Sequence, residues 1–437
     1  MAAIRILHIT PHMGGGVGKT VSGLVAQSAR ANSIYTHAVV SLELPEKSEF
    51  IDIVRDAGCN LLVAPSKEEL IRQIKAADIV QIEFWNHPAI VEFLCKFPLP
   101  AMRLIVWCHV SGLSYPAIPA GIMEVANRFI FTSRCSWEAS EVESLPAEAK
   151  KTLDVISSGG GLEVLPLPKR TTERPLRAGY LGSLNFSKLH PDYVDYVAAV
   201  RAPDFCVRMI GDETNREVLE HQCRTLGRPG LLEFAGYKTD VAMELAGLDV
   251  LVYLLNPNHY GTAENALLEA MAMGVAPIVM DNAAERYIVE HGDTGIIVRT
   301  PDDVATAIDD YLSSRPNERI EMGRRAAAVV RERYRYERME RAFSGHYDDL
   351  LTQPKREFTF VDFFGATPAD WFRVFHRDAS IFQDDGSVRL PERLRRYSLL
   401  ERTKGSVFHF LGHFPHDALL GAWAKALEDW EANDYHV

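Results

Sequence analysis

The chain has 437 residues, of which 47% are hydrophobic and 24% charged, a composition typical of packed globular protein rather than of disorder. Because single hydrophobic cores rarely grow beyond about 250 to 300 residues, this length predicts at least two domains. The formal net charge of −12 argues against a general role in binding nucleic acid, because a negative surface repels phosphate.

No targeting or membrane-spanning segment is recognisable in the sequence. The first residues lack a basic region and a cleavage signal, and no apolar run approaches the roughly 20 residues needed to cross a bilayer. The six cysteines are scattered, with no CxxC pair and no histidine at zinc-ligand spacing, which is typical of reduced thiols. We therefore expect a cytoplasmic protein without a zinc site.

The first part of the chain alternates short apolar runs, rich in β-branched residues, with longer helical stretches. This alternation predicts parallel strands joined by helices, and the near-continuous apolar character fits strands buried on both faces. The predicted strands cover residues 4–9, 37–42, 60–63, 79–83, 104–108 and 128–132.

A second series with the same rhythm follows a Pro-rich, charged stretch at 166–175, which we interpret as a linker. Its predicted strands cover residues 178–181, 205–210, 232–235, 250–254, 276–279 and 295–298. The stretch 263–273 is dense in Ala, Leu, Met and Glu and predicts a helix. The sequence thus predicts an α/β protein with Rossmann-like domains at 1–168 and 176–350, followed by a mostly helical C-terminal extension at 355–437.

A Gly-rich run, Gly-Gly-Gly-Val-Gly-Lys-Thr at 14–20, lies between the first predicted strand and a helix. It resembles a P-loop, but Met13 stands where the full Walker pattern has glycine, and no strand ending in a magnesium-binding aspartate is recognisable. The simpler interpretation is a turn that lets an anionic ligand approach a helix N-terminus, which makes Gly15 and Gly16 candidates for binding such a ligand. A P-loop NTPase is the alternative.

The segment 256–279 combines a polar loop, a helix and a strand in one β-loop-α-β unit. Glu264 and Glu269 lie five residues apart, which is not the i, i+4 spacing that places two side chains on one helix face. This spacing by itself favours the interpretation that Glu264 and Glu269 are two solvated acids on a helix surface. The backbone N–H groups of 261–264, at the start of the helix, suit a diphosphate because unpaired N–H groups and the helix dipole favour anions.

This segment, which includes Glu-Ala-Met-Ala-Met-Gly at 269–274, resembles the donor-binding signature of retaining GT-B glycosyltransferases, in particular glycosyltransferase family four. The resemblance extends over residues 4–350. It implies two Rossmann-like domains that face each other across a cleft, a UDP- or GDP-linked hexose donor, retention of configuration, and no metal or other cofactor. It implies that Glu269 accepts hydrogen bonds from the ribose hydroxyls, and it suggests a glycan or lipid-linked acceptor of cell-envelope polysaccharide or glycoconjugate synthesis.

The donor loop departs from the family pattern at residue 261, where this chain has glycine instead of the first glutamate. Two interpretations stay open: Glu264 supplies the missing carboxylate from a shifted loop, or the sugar is held differently. A catalytically weak scaffold that binds sugar nucleotides is therefore a further alternative. The predicted donor-binding residues here are Tyr260, Gly261, Thr262, Ala263, Glu264, Asn265, Leu268 and Glu269, of which Glu264 is also a catalytic candidate.

The start of the second series, 179–191, resembles the family segment that offers an arginine and a lysine to the leaving diphosphate. Lys188 matches the lysine, whereas Ser183 stands at the arginine position. The resemblance implies that Lys188 is a catalytic cation, helped by backbone amides, that neutralises the charge developing on the leaving group. Gly211 lies in a segment similar to a strand lining the nucleotide base, so Ser183 and Gly211 are further donor-binding candidates.

Polar residues follow two buried strands of the first series. His109 comes directly after the strand 104–108 and resembles the family histidine that faces the sugar and the acceptor, although a polar cap of the strand is the simpler alternative. Because imidazole titrates near neutrality, His109 is also a candidate proton partner in catalysis. Glu83, Asn86 and His87 follow another strand and are the predicted acceptor-site residues.

The region after Pro354 lies outside the resemblance and contains a basic stretch at 389–404, with Arg393, Arg395, Arg396 and Arg402. A solvated helix face is the simpler interpretation of this stretch. The alternatives are peripheral contact with anionic lipid at the inner face of the membrane, or a homo-oligomer formed through 355–437.

Overall fold

The computed structural model describes residues 3–45, 48–314, 316–391 and 398–434. Internal contacts separate the chain into two units: unit 1 consists of Met1–Gly160 and Tyr336–Val437, and unit 2 consists of Gly161–Arg335. Arg393, Arg395 and Arg396 of the predicted basic stretch lie outside the described residues.

Unit 1 is built on a parallel sheet, which in the described residues has seven strands in the order β3-β2-β1-β4-β5-β6-β7. The strands are β1 (Ile4–Thr10), β2 (Tyr35–Ser41), β3 (Asn60–Val63), β4 (Ile79–Phe84), β5 (Leu104–Cys108), β6 (Arg128–Phe131) and β7 (Leu153–Val155). The six predicted strands all form, and β4 and β5 are buried along their whole length. The additional strand β7 has only 3 residues, too few to give a recognisable pattern.

Helices follow most of these strands, as the alternation predicts. They are α1 (Gly15–Arg30), α2 (Glu49–Asp56), α3 (Lys67–Ala76), α4 (Pro88–Lys96), α5 (Ala120–Val125), α6 (Ser140–Ser144) and α7 (Ala147–Lys150), with a 3-10 helix at Arg134–Glu138.

Unit 2 repeats this architecture with a parallel sheet that has six strands in the described residues, in the order β10-β9-β8-β11-β12-β13. The strands are β8 (Ala178–Leu181), β9 (Val207–Ile210), β10 (Leu232–Gly236), β11 (Val250–Tyr253), β12 (Ala276–Met280) and β13 (Ile296–Val298). The helices are α8 (Tyr193–Ala198), α9 (Arg216–Thr225), α10 (Val241–Gly247), α11 (Asn265–Ala272), α12 (Ala283–Arg286), α13 (Pro301–Asp309) and α14 (Pro316–Arg333), with a π-helical turn at Asp310–Ser314. Each of the six strands predicted for the second series overlaps one of these strands.

Local sequence explains where α13 begins. The hydroxyl of Thr300 accepts the backbone N–H of Asp303 at 3.2 Å, and the carboxylate of Asp303 accepts the N–H of Thr300 at 2.9 Å. Pro301 occupies the first helical turn, where a missing N–H costs nothing. This reciprocal capping box satisfies two backbone donors that the helix itself cannot pair.

The helices with described bounds that follow Arg335 belong to unit 1. They are α15 (Tyr336–Leu351), α16 (Val361–Phe364), α17 (Pro368–Arg373), α18 (Val407–His413) and α19 (Ala418–Asp434), with a 3-10 helix at Ala379–Ile381. The apolar stripe Met339, Phe343 and Tyr347 of α15 packs in one core with Trp107 of β5. Residues 336–350, predicted as the end of the second domain, therefore lie in unit 1, because their apolar stripe completes a core on its sheet.

The extension continues the hydrophobic core of unit 1 rather than forming a core of its own. Its buried aromatic residues Phe364, Trp371 and Trp423 share a cluster with Phe84 of β4, and the Phe84 and Phe364 rings lie 6.3 Å apart. Within the described residues, none of the helices combines the length and the apolarity needed to span a membrane. Lipid contact and self-association through the extension stay predictions.

Candidate functional site

The predicted site residues lie at or near the carboxyl ends of strands, close to the points where the strand order reverses. In unit 1 the order reverses between β1 and β4, and in unit 2 it reverses between β8 and β11. Open parallel sheets bind ligands in the crevice at such points, because the loops on either side diverge there. Each unit therefore presents one candidate ligand-binding edge.

A buried ion pair forms the centre of the unit 2 edge. Nζ of Lys188 lies 2.8 and 2.6 Å from Oε1 and Oε2 of Glu264, and the hydroxyl of Tyr253 donates to Oε2 at 2.7 Å. The Lys188 and Glu264 side chains are 14% and 1% exposed. The ammonium also lies 5.5 Å from the centre of the Tyr260 ring. The structure thus joins two catalytic candidates that are 76 residues apart in sequence.

Both members of this pair are charged. Burial raises the pKa of Glu264, but the charge of Lys188 and the hydrogen bonds from Lys188 and Tyr253 bring it below its usual value. Burial lowers the pKa of Lys188, but the charge of Glu264 brings it above its usual value. An ammonium binds phosphate oxygens, and a carboxylate accepts hydrogen bonds from hydroxyls. The pair therefore suits a ligand that carries both phosphate and hydroxyl groups.

His259 and Glu285, which the sequence did not single out, hold the backbone of the donor loop. Nδ1 of His259 accepts the N–H of Gly261 at 3.0 Å, so the ring proton lies on Nε2, 3.2 Å from Oε2 of Glu285. Nδ2 of Asn282 donates to Oε1 of Glu285 at 3.2 Å. His259 and Glu285 are 26 residues apart, and no local pattern predicts that they meet.

Ser183 and Gly211 lie at the ends of β8 and β9. The Ser183 hydroxyl donates to Oδ2 of Asp212 at 2.5 Å. Burial raises the pKa of Asp212, but hydrogen bonds from Ser183 and Thr214 bring it below its usual value. A Cβ at Gly211 would lie 1.8 Å from the carbonyl oxygen of Gly182, so this close approach of two strand ends requires glycine. That Gly211 also faces the base stays a prediction.

The start of α11 presents the other donor-binding candidates. Thr262 and Ala263 are buried, and Asn265 and Glu269 are half-buried. Leu268 is fully buried, so its side chain belongs to the hydrophobic core rather than to a surface that a ligand reaches. The assignment of Glu269 to the ribose stays a prediction.

In unit 1, a buried chain of hydrogen bonds runs from His37 through His8 and Glu83 to His109. Oε1 of Glu83 lies 2.9 Å from Nδ1 of His8, Oε2 lies 2.8 Å from Nε2 of His109, and Nε2 of His8 lies 2.8 Å from Nδ1 of His37. Burial raises the pKa of Glu83, but hydrogen bonds to His109 and His8 bring it below its usual value. Glu83 is fully buried between two imidazoles, so it holds His109 in place. Its side chain is not exposed, as the predicted contact with an acceptor would require.

Asn86 and His87, the other predicted acceptor residues, also point inward. Nδ2 of Asn86 lies 3.2 Å from the hydroxyl of Tyr115 and 3.3 Å from the carbonyl oxygen of Gly405. His87 is fully buried, and its Nδ1 accepts the N–H of Ala89 at 3.2 Å at the start of α4. Both side chains therefore fix the loop after β4, because their polar atoms are turned to the protein rather than to solvent.

The Gly-rich run at the first strand forms mainly the first turns of α1, with Gly14 as the N-cap and Gly15 at φ 59°. Gly15 and Gly16 are exposed, which leaves this helix start open to an anion. The Thr20 hydroxyl, which would bind magnesium in a P-loop, is fully buried and donates to the carbonyl oxygens of Gly16 and Ser158 at 2.8 and 2.6 Å. This arrangement does not favour the P-loop alternative.

The C-terminal part of the chain adds side chains to the unit 1 edge that the sequence did not assign. Nζ of Lys404 lies 3.2 Å from Nε2 of His12, which follows β1. Nε2 of His413, at the end of α18, lies 3.0 Å from Oε2 of Glu92, and its Nδ1 lies 3.4 Å from Oε1 of Glu43. In the part of the chain that the structure describes, no group of three or more His, Cys, Asp or Glu could hold a metal ion.

The ion pairs of His413 predict a pH-dependent attachment of α18. Hydrogen bonds to Glu43 and Glu92 raise the pKa of His413 to about 9. The folded state favours the charged imidazole. The contribution of His413 to the free energy of unfolding is therefore complete below about pH 6.5 and is lost as the pH rises through 9. We expect His413→Gln to lower the free energy of unfolding by about 1–2 kcal/mol at pH 6.5, since partial exposure weakens the pairs.

Urea denaturation followed by tryptophan fluorescence between pH 6.5 and 9.5 measures this difference. The difference in the free energy of unfolding between wild type and His413→Gln should become smaller as the pH rises. The control His416→Gln changes an exposed histidine and should leave the free energy of unfolding unchanged at every pH. A gap that stays constant over this range would show that the ion pairs of His413 do not hold α18.

The two parallel-sheet α/β units match solved structures that have the GT-B fold. The structure of HepE from Anabaena in complex with UDP and glucose matches with a TM-score of 0.62 over 79% of this chain and 100% of that chain, at 16% identity. A glycosyltransferase from Rickettsia africae matches with a TM-score of 0.61 over 81% of this chain and 100% of that chain, at 14% identity. At such identities the likeness shows the fold alone.

Residues 175–314, which lie within unit 2, match the model of the family Glycosyl transferases group 1. N-acetyl-alpha-D-glucosaminyl L-malate synthase of Bacillus anthracis is 32% identical over 124 residues, 28% of this chain and 32% of that protein. The lipopolysaccharide core biosynthesis glycosyltransferase LpsE of Rhizobium meliloti is 25% identical over 151 residues, 34% of this chain and 44% of that protein. The matched segments span less than half the length of either curated relative.

Proposed function

We propose that this protein is a glycosyltransferase that moves a hexose from a UDP- or GDP-linked donor to a glycan or lipid-linked acceptor, with retention of the anomeric configuration. The observation that carries the proposal is the buried, charged pair of Lys188 and Glu264 at the carboxyl edge of the unit 2 sheet, within the segment that matches the family model. Such an edge, with an ammonium beside backbone N–H groups at a helix start, suits a nucleoside diphosphate.

In the proposed reaction, the bond between the anomeric carbon and the diphosphate oxygen breaks, and the nucleoside diphosphate leaves with the electron pair. Lys188 and the N–H groups of Ala263 and Glu264 stabilise the charge that develops on it. The acceptor oxygen forms its bond to the anomeric carbon on the same face, and the acceptor proton passes to the leaving diphosphate. Glu269 binds the ribose hydroxyls of the donor, and His109 of unit 1 acts on the acceptor side. The scheme needs no metal ion, so activity should survive EDTA.

The relatives, rather than the geometry, support the proposed class of acceptor. The named relatives include an enzyme of lipopolysaccharide core biosynthesis and a synthase that joins a glucosaminyl group to malate. We therefore place the acceptor among the glycans or lipid-linked glycans of cell-envelope polysaccharide or glycoconjugate synthesis.

The test is a thermal-shift screen of UDP, GDP, ADP, CMP and their sugar conjugates against wild type, Glu269→Ala and the control Glu321→Ala, which removes an exposed acid of α14. A ligand at 100 times its Kd stabilises the folded state by about 2.7 kcal/mol, so one UDP- or GDP-linked compound should raise the Tm of wild type and of the control. Glu269→Ala should lose most of this shift. A shift with ATP alone, kept in Glu269→Ala and lost in Lys19→Ala, would contradict the proposal in favour of an NTPase.

A further inference from the structure

A side chain at residue 261 would meet the charged ends of the Glu264 and Lys188 side chains, which would have to shift to admit it. A Cβ built on Gly261 would lie 1.8 Å from Oε1 of Glu264 and 2.6 Å from Nζ of Lys188. Real Cβ atoms essentially never approach another heavy atom within 3.0 Å. The carboxylate of Glu264 therefore occupies the volume in which a residue 261 side chain would begin, at the position where the family pattern has a glutamate.

The backbone of Glu264 points to the same conclusion. Its φ of 42° lies in the left-handed region, which glycine adopts freely and which costs other residues about 1 kcal/mol or more. The contacts of the Glu264 carboxylate with Lys188 and Tyr253 compensate for this cost. A glycine would fit the backbone at 264, and a carboxylate is present where 261 would project. The two residue types therefore stand at each other's expected positions.

We propose that Gly261 and Glu264 have exchanged roles: Glu264 supplies, from a left-handed backbone, the acidic group that a glutamate at 261 would supply to the donor sugar. This inference rests on the proposed function, because the ligand of the carboxylate is a sugar hydroxyl of the nucleotide-linked donor. Two of the three Lys188 N–H groups bond to the carboxylate, which leaves the third for the diphosphate. One ion pair thereby binds the sugar and the diphosphate together.

The exchange makes opposite predictions for single and double substitutions. Glu264→Gly relieves the backbone but leaves Lys188 buried without its carboxylate. Gly261→Glu places a second side chain in a volume that the Glu264 carboxylate already fills. The double variant Gly261→Glu/Glu264→Gly restores one acid and gives the left-handed position a glycine. The losses of stability and activity caused by the two substitutions should therefore cancel instead of adding, because the two residues share one volume.

The experiment measures Tm and hydrolysis of the nucleotide sugar identified in the screen, for both single variants, the double variant and the uncharged control Gly261→Gln/Glu264→Gly. Each single variant should lose roughly 5–15 °C in Tm and about 100-fold in hydrolysis. The double variant should recover most of the Tm and come within about 10-fold of the wild-type rate. The Gln control should recover neither, because it lacks the charge that pairs with Lys188.

A double variant that is as unstable and as slow as the sum of its singles would overturn the exchange. The same holds if the Gln control recovers as well as the Glu variant, since shape alone would then explain the rescue. If wild type binds no nucleotide sugar, the proposed function and the ligand of Glu264 fail together. The Tm values of the four variants still test the spatial exchange in that case, because they require no ligand.

Discussion

Lys188→Met is expected to lower the rate of sugar transfer by about 100- to 1000-fold, because in the proposed reaction Lys188 is the cation that faces the leaving diphosphate. It also leaves the carboxylate of Glu264 buried without its ammonium partner, and the breaking of such a pair costs roughly 3–5 kcal/mol of folding free energy. Methionine keeps the length and apolar stem of lysine, so the change isolates the charge. Initial rates with a radiolabelled donor and urea denaturation measure the two effects.

A second variant separates loss of catalysis from loss of stability. Lys188→Met/Glu264→Gln removes both charges, so it should recover much of the stability but none of the activity. Lys169→Met, at an exposed lysine of the linker, is the control and should match wild type in both measurements. If Lys188→Met transfers sugar at more than a tenth of the wild-type rate, Lys188 is not the cation that stabilises the leaving group.

Glu83→Gln is expected to lower the free energy of unfolding by about 2–4 kcal/mol and the transfer rate by about 10- to 100-fold. The buried carboxylate accepts from His8 and His109 at once, and an amide has only one oxygen to offer. His109 then loses its fixed orientation, whereas Lys188 and Glu264, the proposed centre of the donor site, lie in unit 2. The rate should therefore fall while the affinity for the nucleotide stays within about twofold of wild type.

The pH dependence of stability tests the charge of Glu83. Because its pKa is lowered in the folded state, its contribution is complete above the unfolded value of about 4.3 and is lost as the pH falls through the folded value. The stability gap between wild type and Glu83→Gln should therefore shrink below about pH 4. Glu124→Gln, at an exposed acid of α5, is the control and should show no gap. A gap that persists unchanged in acid would mean that Glu83 is not ionised.

The C-terminal helices show how much of the fold a sequence pattern can give. The Arg- and Glu-rich composition of residues 319–350 predicts a long helical stretch, and α14 and α15 cover it. It does not predict that the chain passes from unit 2 to unit 1 between them, at Arg335 and Tyr336. The apolar stripe of α15 would fit a core in either unit, and only packing against Trp107 and its neighbours decides which.

The sequence by itself determined the parallel strands and the Gly-rich start of α1. It also identified Lys188, Glu264 and His109, each on its own, as candidate site residues. These features could be predicted because strand patterns, turn chemistry and family motifs are local in the chain. Only the tertiary structure decided which of these residues meet: Lys188 with Glu264 across 76 positions, and Glu83 with His109 across 26. Spacing along the chain carries no information about such pairs, since their geometry depends on how the strands are ordered in the sheet. In the sequence, Gly261 is only a departure from the family pattern. The structure shows that the carboxylate of Glu264 lies where a side chain at residue 261 would begin.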